Sequence, residues 1–268
     1  MNIIESIQHR RSVRTFDGTD LSSEEQRQIL DFAQRVENPF DQTIQWKILD
    51  ASQSRLSVPV ITGTNIYLAG KMLQAPYAEE AFGYTLEKIV LYAEALGYGT
   101  TWIAGTMDRA AFEREMKLSE GEVMPCITPV GRPARKMSLR ESLMRKGVKA
   151  DSRMDFGTLF YKNSFDQPLT RDQAGPLSGA LELVRLGPSA VNKQPWRIVV
   201  TDNAAHFYEH KAKGFGEDGW DIQKIDIGIA LAHFEIGAGE AGLKPVLKIE
   251  DPKLDLPENT RYIASFIW

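Results

Sequence analysis

Gly179–Ile198 reads GALELVRLGPSAVNKQPWRI, and a related stretch lies 150 positions earlier: Ile29–Ile48, ILDFAQRVENPFDQTIQWKI. Arg35 aligns with Arg185, Trp46 with Trp196, Lys47 with Arg197 and Ile48 with Ile198. Upstream of the earlier stretch lies a basic cluster, His9-Arg10-Arg11-Ser12-Val13-Arg14-Thr15-Phe16-Asp17. The matching place in the later half, Tyr161-Lys162-Asn163-Ser164-Phe165-Asp166, keeps Phe-Asp and little of the charge. Each copy retains what the other has lost: cations in the first, a Pro-Ser-x-x-Asn-x-Gln-Pro-Trp loop in the second. The pattern predicts a fused pseudo-dimer with one composite ligand site.

Other segments fit such a duplication. Asn2–Gln8 carries Ile3, Ile4 and Ile7 at helical spacing. Leu21-Ser22-Ser23-Glu24-Glu25 is a capping signal for a helix through Val36. Trp46–Leu49 and Trp196–Val200 read as short strands. Tyr84–Leu96 is a helix with Leu86, Ile89, Val90 and Ala93 on one face and Gly97 as its cap. Its counterpart is Ile225–Ala241, where Gly228, Leu231, Ala238 and Gly242 match Gly83, Leu86, Ala93 and Gly97. This second copy is rich in Gly and Ala and almost free of charge, as suits burial. Met124–Val130 and Tyr262–Trp268 read as the strands closing each half. Arg140–Arg171, polar and turn-rich, reads as a surface crossover between halves at 1–145 and 146–268. Neither half has enough elements to bury its apolar helix alone, so the expectation is one α+β unit on a pseudo-two-fold axis.

The chain has 268 residues, 43% hydrophobic and 25% charged, ordinary for a globular protein. A net charge of −4 argues against a nucleic-acid or anionic-membrane partner while leaving room for a local basic pocket. Cys126, the single cysteine, sits in the apolar run Val123–Val130 and reads as a buried structural thiol. No apolar run approaches the roughly 20 residues that span a bilayer, and no signal peptide is legible, so the expected location is cytoplasmic.

Arg10, Arg11, Ser12 and Arg14 combine fixed cations with a hydroxyl, which suits a phosphate dianion. Cations at a helix end also simply complement the helix dipole. Arg132, Arg135, Lys136 and Arg140 form a second basic set in the same half. In Gly187–Trp196 two prolines stiffen a loop whose Ser189, Asn192 and Gln194 offer uncharged donors and acceptors. Those suit a neutral heterocycle better than a metal or a nucleophile; the plainer reading is a turn whose Asn and Ser bond their own backbone. Two motifs read as decoys. Gly214-Phe215-Gly216-Glu217-Asp218-Gly219 matches a dinucleotide fingerprint, yet its acids would repel phosphate. His206-Phe207-Tyr208-Glu209-His210 matches an inverted zinc motif; on a hairpin strand its histidines would stand about 13 Å apart. No metal site and no protein-borne catalytic constellation is expected.

The chain resembles the FMN-dependent nitroreductase family. Three motifs carry the likeness: Arg10-Arg11-Ser12-Val13-Arg14-x-Phe16, Ala95-Leu96-Gly97-Tyr98-Gly99-Thr100-Thr101-Trp102-Ile103-Ala104-Gly105, and Pro188-Ser189-x-x-Asn192-x-Gln194-Pro195-Trp196. Pro129-Val130-Gly131-x-Pro133 is a weaker fourth. Typical members are homodimers whose interface sites take the basic motif from one subunit and the loop from the other, with both motifs in each chain. Here Asn38-Pro39-Phe40-Asp41-Gln42-Thr43 stands where the loop belongs, and the intact loop comes about 150 residues later. The chain therefore looks like a branch in which two shortened copies are fused and one site is kept.

The resemblance implies the nitroreductase fold, with two intertwined pseudo-symmetric halves around central helices, and FMN as cofactor. It implies that Arg10, Ser12 and Arg14 hold the FMN phosphate, aided by Arg135 or Lys136. Pro188, Ser189, Ala190 and Asn192 should contact the flavin, with Ile103, Ala104 and Gly105 passing its ring and a backbone N–H near N5. Arg11 is left out of this set. Ala104 stands where the family often has an acidic residue, so no nicotinamide preference carries over. The implied activity is an NAD(P)H oxidoreductase reducing a small electron-poor acceptor, nitroaromatic- or quinone-like, as a monomer or homodimer. The alternatives are a non-catalytic FMN-binding sensor and a flavoenzyme of other chemistry, such as oxidative dehydrogenation or flavin fragmentation.

Overall fold

The protein is described by a computed structural model over residues 2–215 and 220–268. The chain divides into two compact units, Met1–Lys149 and Ala150–Trp268.

In the first unit, α1 (Ile3–His9) begins under a reciprocal capping box in which Asn2 accepts the Glu5 N–H and Glu5 accepts that of Asn2. α2 (Ser23–Ala33) begins likewise with Ser22 and Glu25, as its capping signal predicts. It ends at Ala33 rather than Val36. Asn38 gathers the following turn instead, donating to the Gln42 carbonyl and accepting from the Phe40 and Gln42 N–H groups. β1 (Ile44–Asp50) pairs antiparallel with β2 (Ile66–Leu73), placing Trp46 opposite Gly70. A Cβ at Gly70 would lie 2.4 Å from the indole, so only glycine fits beneath that ring.

α3 (Ala78–Ala95) starts six residues before the predicted Tyr84 and is buried on nearly every side. Its end is a Schellman motif: the Tyr98 N–H donates to the Ala93 carbonyl and the Gly97 N–H to that of Glu94, with Gly97 at φ +85°. There follow β3 (Gly99–Thr100), α4 (Arg109–Met116), β4 (Glu122–Val123), β5 (Ile127–Gly131) and α5 (Leu139–Gly147). The sheet runs β1-β2-β5-β3, antiparallel throughout, with β4 also on β2. The strand expected from Met124 starts only at Ile127, since Pro125 has no N–H to give a ladder. Cys126 is buried, as its apolar neighbours predict.

In the second unit, α6 (Phe156–Leu159) and β6 (Phe160–Lys162) lie in the stretch read as a surface crossover, and α7 (Arg171–Ala174) begins at its end. Phe156, Leu159 and Phe160 are buried, so that stretch contributes to a core. α8 (Ser178–Leu186), β7 (Trp196–Val200), β8 (Ala204–His210), α9 (Ile222–Glu240), β9 (Val246–Lys248) and β10 (Thr260–Ile267) complete the unit. The sheet order is β6-β7-β8-β10-β9, with only β6–β7 parallel. α9 ends as α3 does, with Leu243 and Gly242 donating back to Ala238 and Gly239 and Gly242 at φ +82°. Each unit runs helix, two antiparallel strands, long buried helix, returning strand, and the returning strand joins the second: β5 on β2, and β10 on β8.

Candidate functional site

Ser12–Phe16 is laid into the first unit as an extended strap. Ser12 bridges Thr100, Thr15 bridges Thr62 and Phe16 bridges Pro133. Val13 and Phe16 sink into the core with Ile103, Phe112 and Ile127. Two glycines permit this approach: a Cβ at Gly99 would lie 2.8 Å from Val13, and one at Gly131 2.9 Å from the Phe16 ring. With Val13 turned inward, Ser12 and Arg14 project from the opposite face of the strap. The Ala134 N–H donates to the Thr15 carbonyl (3.1 Å), and the Ser138 N–H to Thr15 Oγ1 (3.1 Å). These bonds bring the second basic set alongside the first.

The cations of this corner divide by partner. Arg10 lies 4.0 Å from the buried carboxylate of Glu87, which also accepts the Trp102 indole N–H at 3.1 Å. Arg11 pairs with the buried Glu141 at 3.0 Å. Arg132 pairs with Glu25, whose carboxyl is lowered to about 2 by hydrogen bonds from the Ser22 backbone and Tyr98, with Arg132 adding to them. Arg14 is different. Among the described residues its guanidinium makes no ion pair, and its Nε is buried without a hydrogen-bond partner. Burial lowers its pKa, opposed by Glu141 and reinforced by Arg145, yet guanidinium stays charged in proteins. Arg135 and Lys136 are exposed cations between Ala134 and Ser138, the residues bonded to Thr15. A half-buried guanidinium without an ion pair among the described residues, a hydroxyl and exposed cations make a donor set suited to a phosphate group, so the residues fit that end of FMN.

The Ile103–Gly105 segment is held in the same unit. Ile103 exchanges two 2.9 Å backbone bonds with Ile127. The Ala104 carbonyl accepts from Arg109 Nη2 at 2.8 Å, and Arg109 also donates to the Met124 and Pro125 carbonyls at 2.5 and 3.1 Å. A Cβ at Gly105 would meet nothing within 4 Å, so this edge faces open space.

In the second unit, the Pro188–Pro195 loop is strained. Val191, Asn192 and Gln194 adopt φ of +44°, +58° and +48°. Left-handed backbone costs a non-glycine residue about 1–2 kcal/mol, and more for β-branched valine. Side chains hold the shape. Ser189 Oγ accepts the Gln194 N–H at 2.8 Å, Asn192 donates to the Ser152 carbonyl at 3.1 Å, and the buried Gln194 accepts the Met154 N–H at 2.9 Å. Ser189 spends its hydroxyl within the loop and Asn192 its amide on Ser152, and the exposed Val191 forms the tip.

Beneath the loop lies a residue the sequence reading passed over. The Ala190 N–H donates to both oxygens of Asp226 on α9, each at 3.1 Å. An acid inside the otherwise apolar run Ile225–Leu231 was the available signal. Burial raises the Asp226 carboxyl well above the usual range; the Ala190 N–H opposes this, and Asp221 and Glu209 reinforce it. A carboxyl raised in the fold stabilises fully below its unfolded pKa of about 3.9, and that contribution is lost as pH rises toward the folded value. Asp226→Asn keeps an acceptor without the ionisation, so its stability relative to the parent should grow between pH 4 and pH 8. Thermal unfolding across that range checks this; a pH-independent difference would contradict it.

The histidines of the zinc-like motif stand on a hairpin strand, as read. His206 and His210 lie along β8, bonded to Ser265 and Thr260 respectively. No group of three or more His, Cys, Asp or Glu among the described residues could hold a metal ion. Gly216–Gly219 of the fingerprint-like stretch lies outside the described residues. No described helix is long and apolar enough to cross a membrane.

A family model described as "Putative TM nitroreductase" matches residues 2–238. The chain belongs to this nitroreductase family. A nitroreductase structure from Thermotoga maritima is similar over 100% of this chain and 94% of that one, with 22% identity and a TM-score of 0.65, a likeness of fold. A nitroreductase family protein from Clostridium novyi NT covers 50% of this chain and 87% of its own, at 20% identity and TM-score 0.43. An FMN-dependent nitroreductase from Clostridium difficile R20291 covers 53% and 95%, at 17% and 0.42. No curated protein matches the sequence. The α+β, nitroreductase-like fold expected from the motifs is thus the fold of this family.

Proposed function

We propose that this nitroreductase-family chain is an FMN-dependent oxidoreductase with one flavin site per chain. The observation that carries the reading is Arg14: a half-buried guanidinium on the strap, its Nε without a partner among the described residues, two positions from Ser12. Arg14 and Ser12 would hold the phosphate, and Arg10, Arg135 and Lys136 would add positive potential. By the family resemblance, Ile103, Ala104, Gly105, Pro188, Ser189, Ala190 and Asn192 would contact the flavin. The chemistry such a group supplies when bound is two-electron transfer, taken from NAD(P)H and passed to a small electron-poor acceptor of the nitroaromatic or quinone kind. The chain's own part is to bind, orient and shield; no acid–base dyad is needed from it. The repeated order of helices and strands supports descent from two fused copies, each of which gave up one half of the ancestral pair of sites.

The test is spectroscopic. The flavin-loaded protein should be yellow and should bleach under anaerobic NADH or NADPH. A yellow protein that neither nicotinamide bleaches would be a flavin-binding protein without this turnover. A colourless protein that cannot be loaded with FMN would overturn the assignment.

A further inference from the structure

We infer that Asp226 is a positioning residue that locks the Pro188–Gln194 loop in the left-handed shape presented to the cofactor. The cofactor half of this statement rests on the function proposed above. Ser189 is fully extended, at φ −149° and ψ 161°, and Val191 turns left-handed two residues later. Ala190 is the pivot between them, and its N–H is the group Asp226 holds, 3.1 Å from each carboxyl oxygen. The other ties of the loop, Ser189 to Gln194, Asn192 to Ser152 and Gln194 to Met154, bind it to itself and to the segment before α6. Asp226 ties the pivot to the long helix. The anchor is rigid because it lies in the second turn of α9, whose N-cap Asp221 accepts the Gln223 N–H at 3.0 Å. Around it, Glu209 on β8 and Asp221 are matched by Arg261, and Asp221 also by Lys211 at 2.9 Å. A buried acid whose oxygens both face one loop N–H has a cost that packing alone does not require.

Lys193 provides a direct report, being exposed next to the strained residues. The experiment compares Asp226→Ala, Asp226→Asn and the parent for tryptic cleavage after Lys193 in flavin-free protein, and then for FMN affinity. Asp226→Ala should be cut there at least about tenfold faster, well below its unfolding temperature, and should bind FMN about tenfold more weakly. Asp226→Asn, which keeps an acceptor of the same shape, should restore both. Should Asp226→Ala fail to fold, Ala190→Pro removes the same hydrogen bond from the loop side. The extended Ser189 suits a following proline, which also fits the first position of the short helical turn. Parent-like cleavage in the Ala or Pro variant overturns the inference. So does faster cleavage with unchanged FMN affinity, which would leave the loop ordered by Asp226 but idle toward the flavin. If the parent binds no FMN at all, the function proposed above fails, and the cleavage comparison still decides the role of Asp226.

Discussion

Arg14→Ala should strip the protein of FMN while leaving its fold intact. Loss of a charge-assisted contact to phosphate costs about 2 kcal/mol, roughly thirtyfold in affinity. Stability should not fall with it, because the guanidinium makes no ion pair among the described residues and its Nε is buried unsatisfied. Removing such a group relieves a desolvation cost. The neighbouring Arg11→Ala should behave in the opposite way. Arg11 answers the buried Glu141 at 3.0 Å, so its loss removes that carboxylate's ion pair and lowers the unfolding temperature, with little direct effect on flavin. Fluorescence titration with FMN and thermal unfolding of the two variants separate these outcomes. Unchanged FMN affinity in Arg14→Ala would remove Arg14 from the site.

Gly237→Ala should be among the most damaging single-methyl changes in the chain. A Cβ there would lie 2.5 Å from the Ala180 Cα and 2.9 Å from its Cβ, where α9 crosses α8. Backbone cannot turn aside as a flexible side chain can, so the helices must separate, at a cost of about 3 kcal/mol, the upper end for overpacking. Gly239→Ala, two residues on in the same helix, meets nothing within 4 Å. It should gain up to about 1 kcal/mol from helix propensity. Chemical denaturation of both variants measures the contrast; equal effects would mean that α8 and α9 do not meet as described.

What was legible in the sequence was local and strongly marked. Ser22 with Glu25 gave the start of α2, Gly97 and Gly242 the ends of the two long helices, and Trp196–Val200 a strand with those same bounds. The turn Thr201-Asp202-Asn203 after Trp196–Val200 placed His206 and His210 on a hairpin strand, where they lie. Elements without a mark were missed. α3 begins at Ala78 after Tyr77, which is left-handed and offers no side-chain cap, and the first turn buries Glu79 and Glu80, so neither capping chemistry nor apolar period announced it. α6 and β6 are too short for periodicity to register.

The candidate site was half legible for a similar reason. The residue types of the basic cluster and the loop could be read directly. Which cation stays unpaired could not, because that depends on Glu87, Glu141 and Glu25, each far in sequence from the arginine it meets. Nor could the tie between Ala190 and Asp226, 36 residues apart.

The central claim is the proposal that the chain binds one flavin, and that Arg14 and the strained Pro188–Pro195 loop both contribute to holding it. Calorimetric titration of flavin-free protein with FMN tests it most directly. The expected result is one FMN per chain, with affinity lost both on Arg14→Ala and on Ala190→Pro. A stoichiometry near two, or no binding at all, would contradict it.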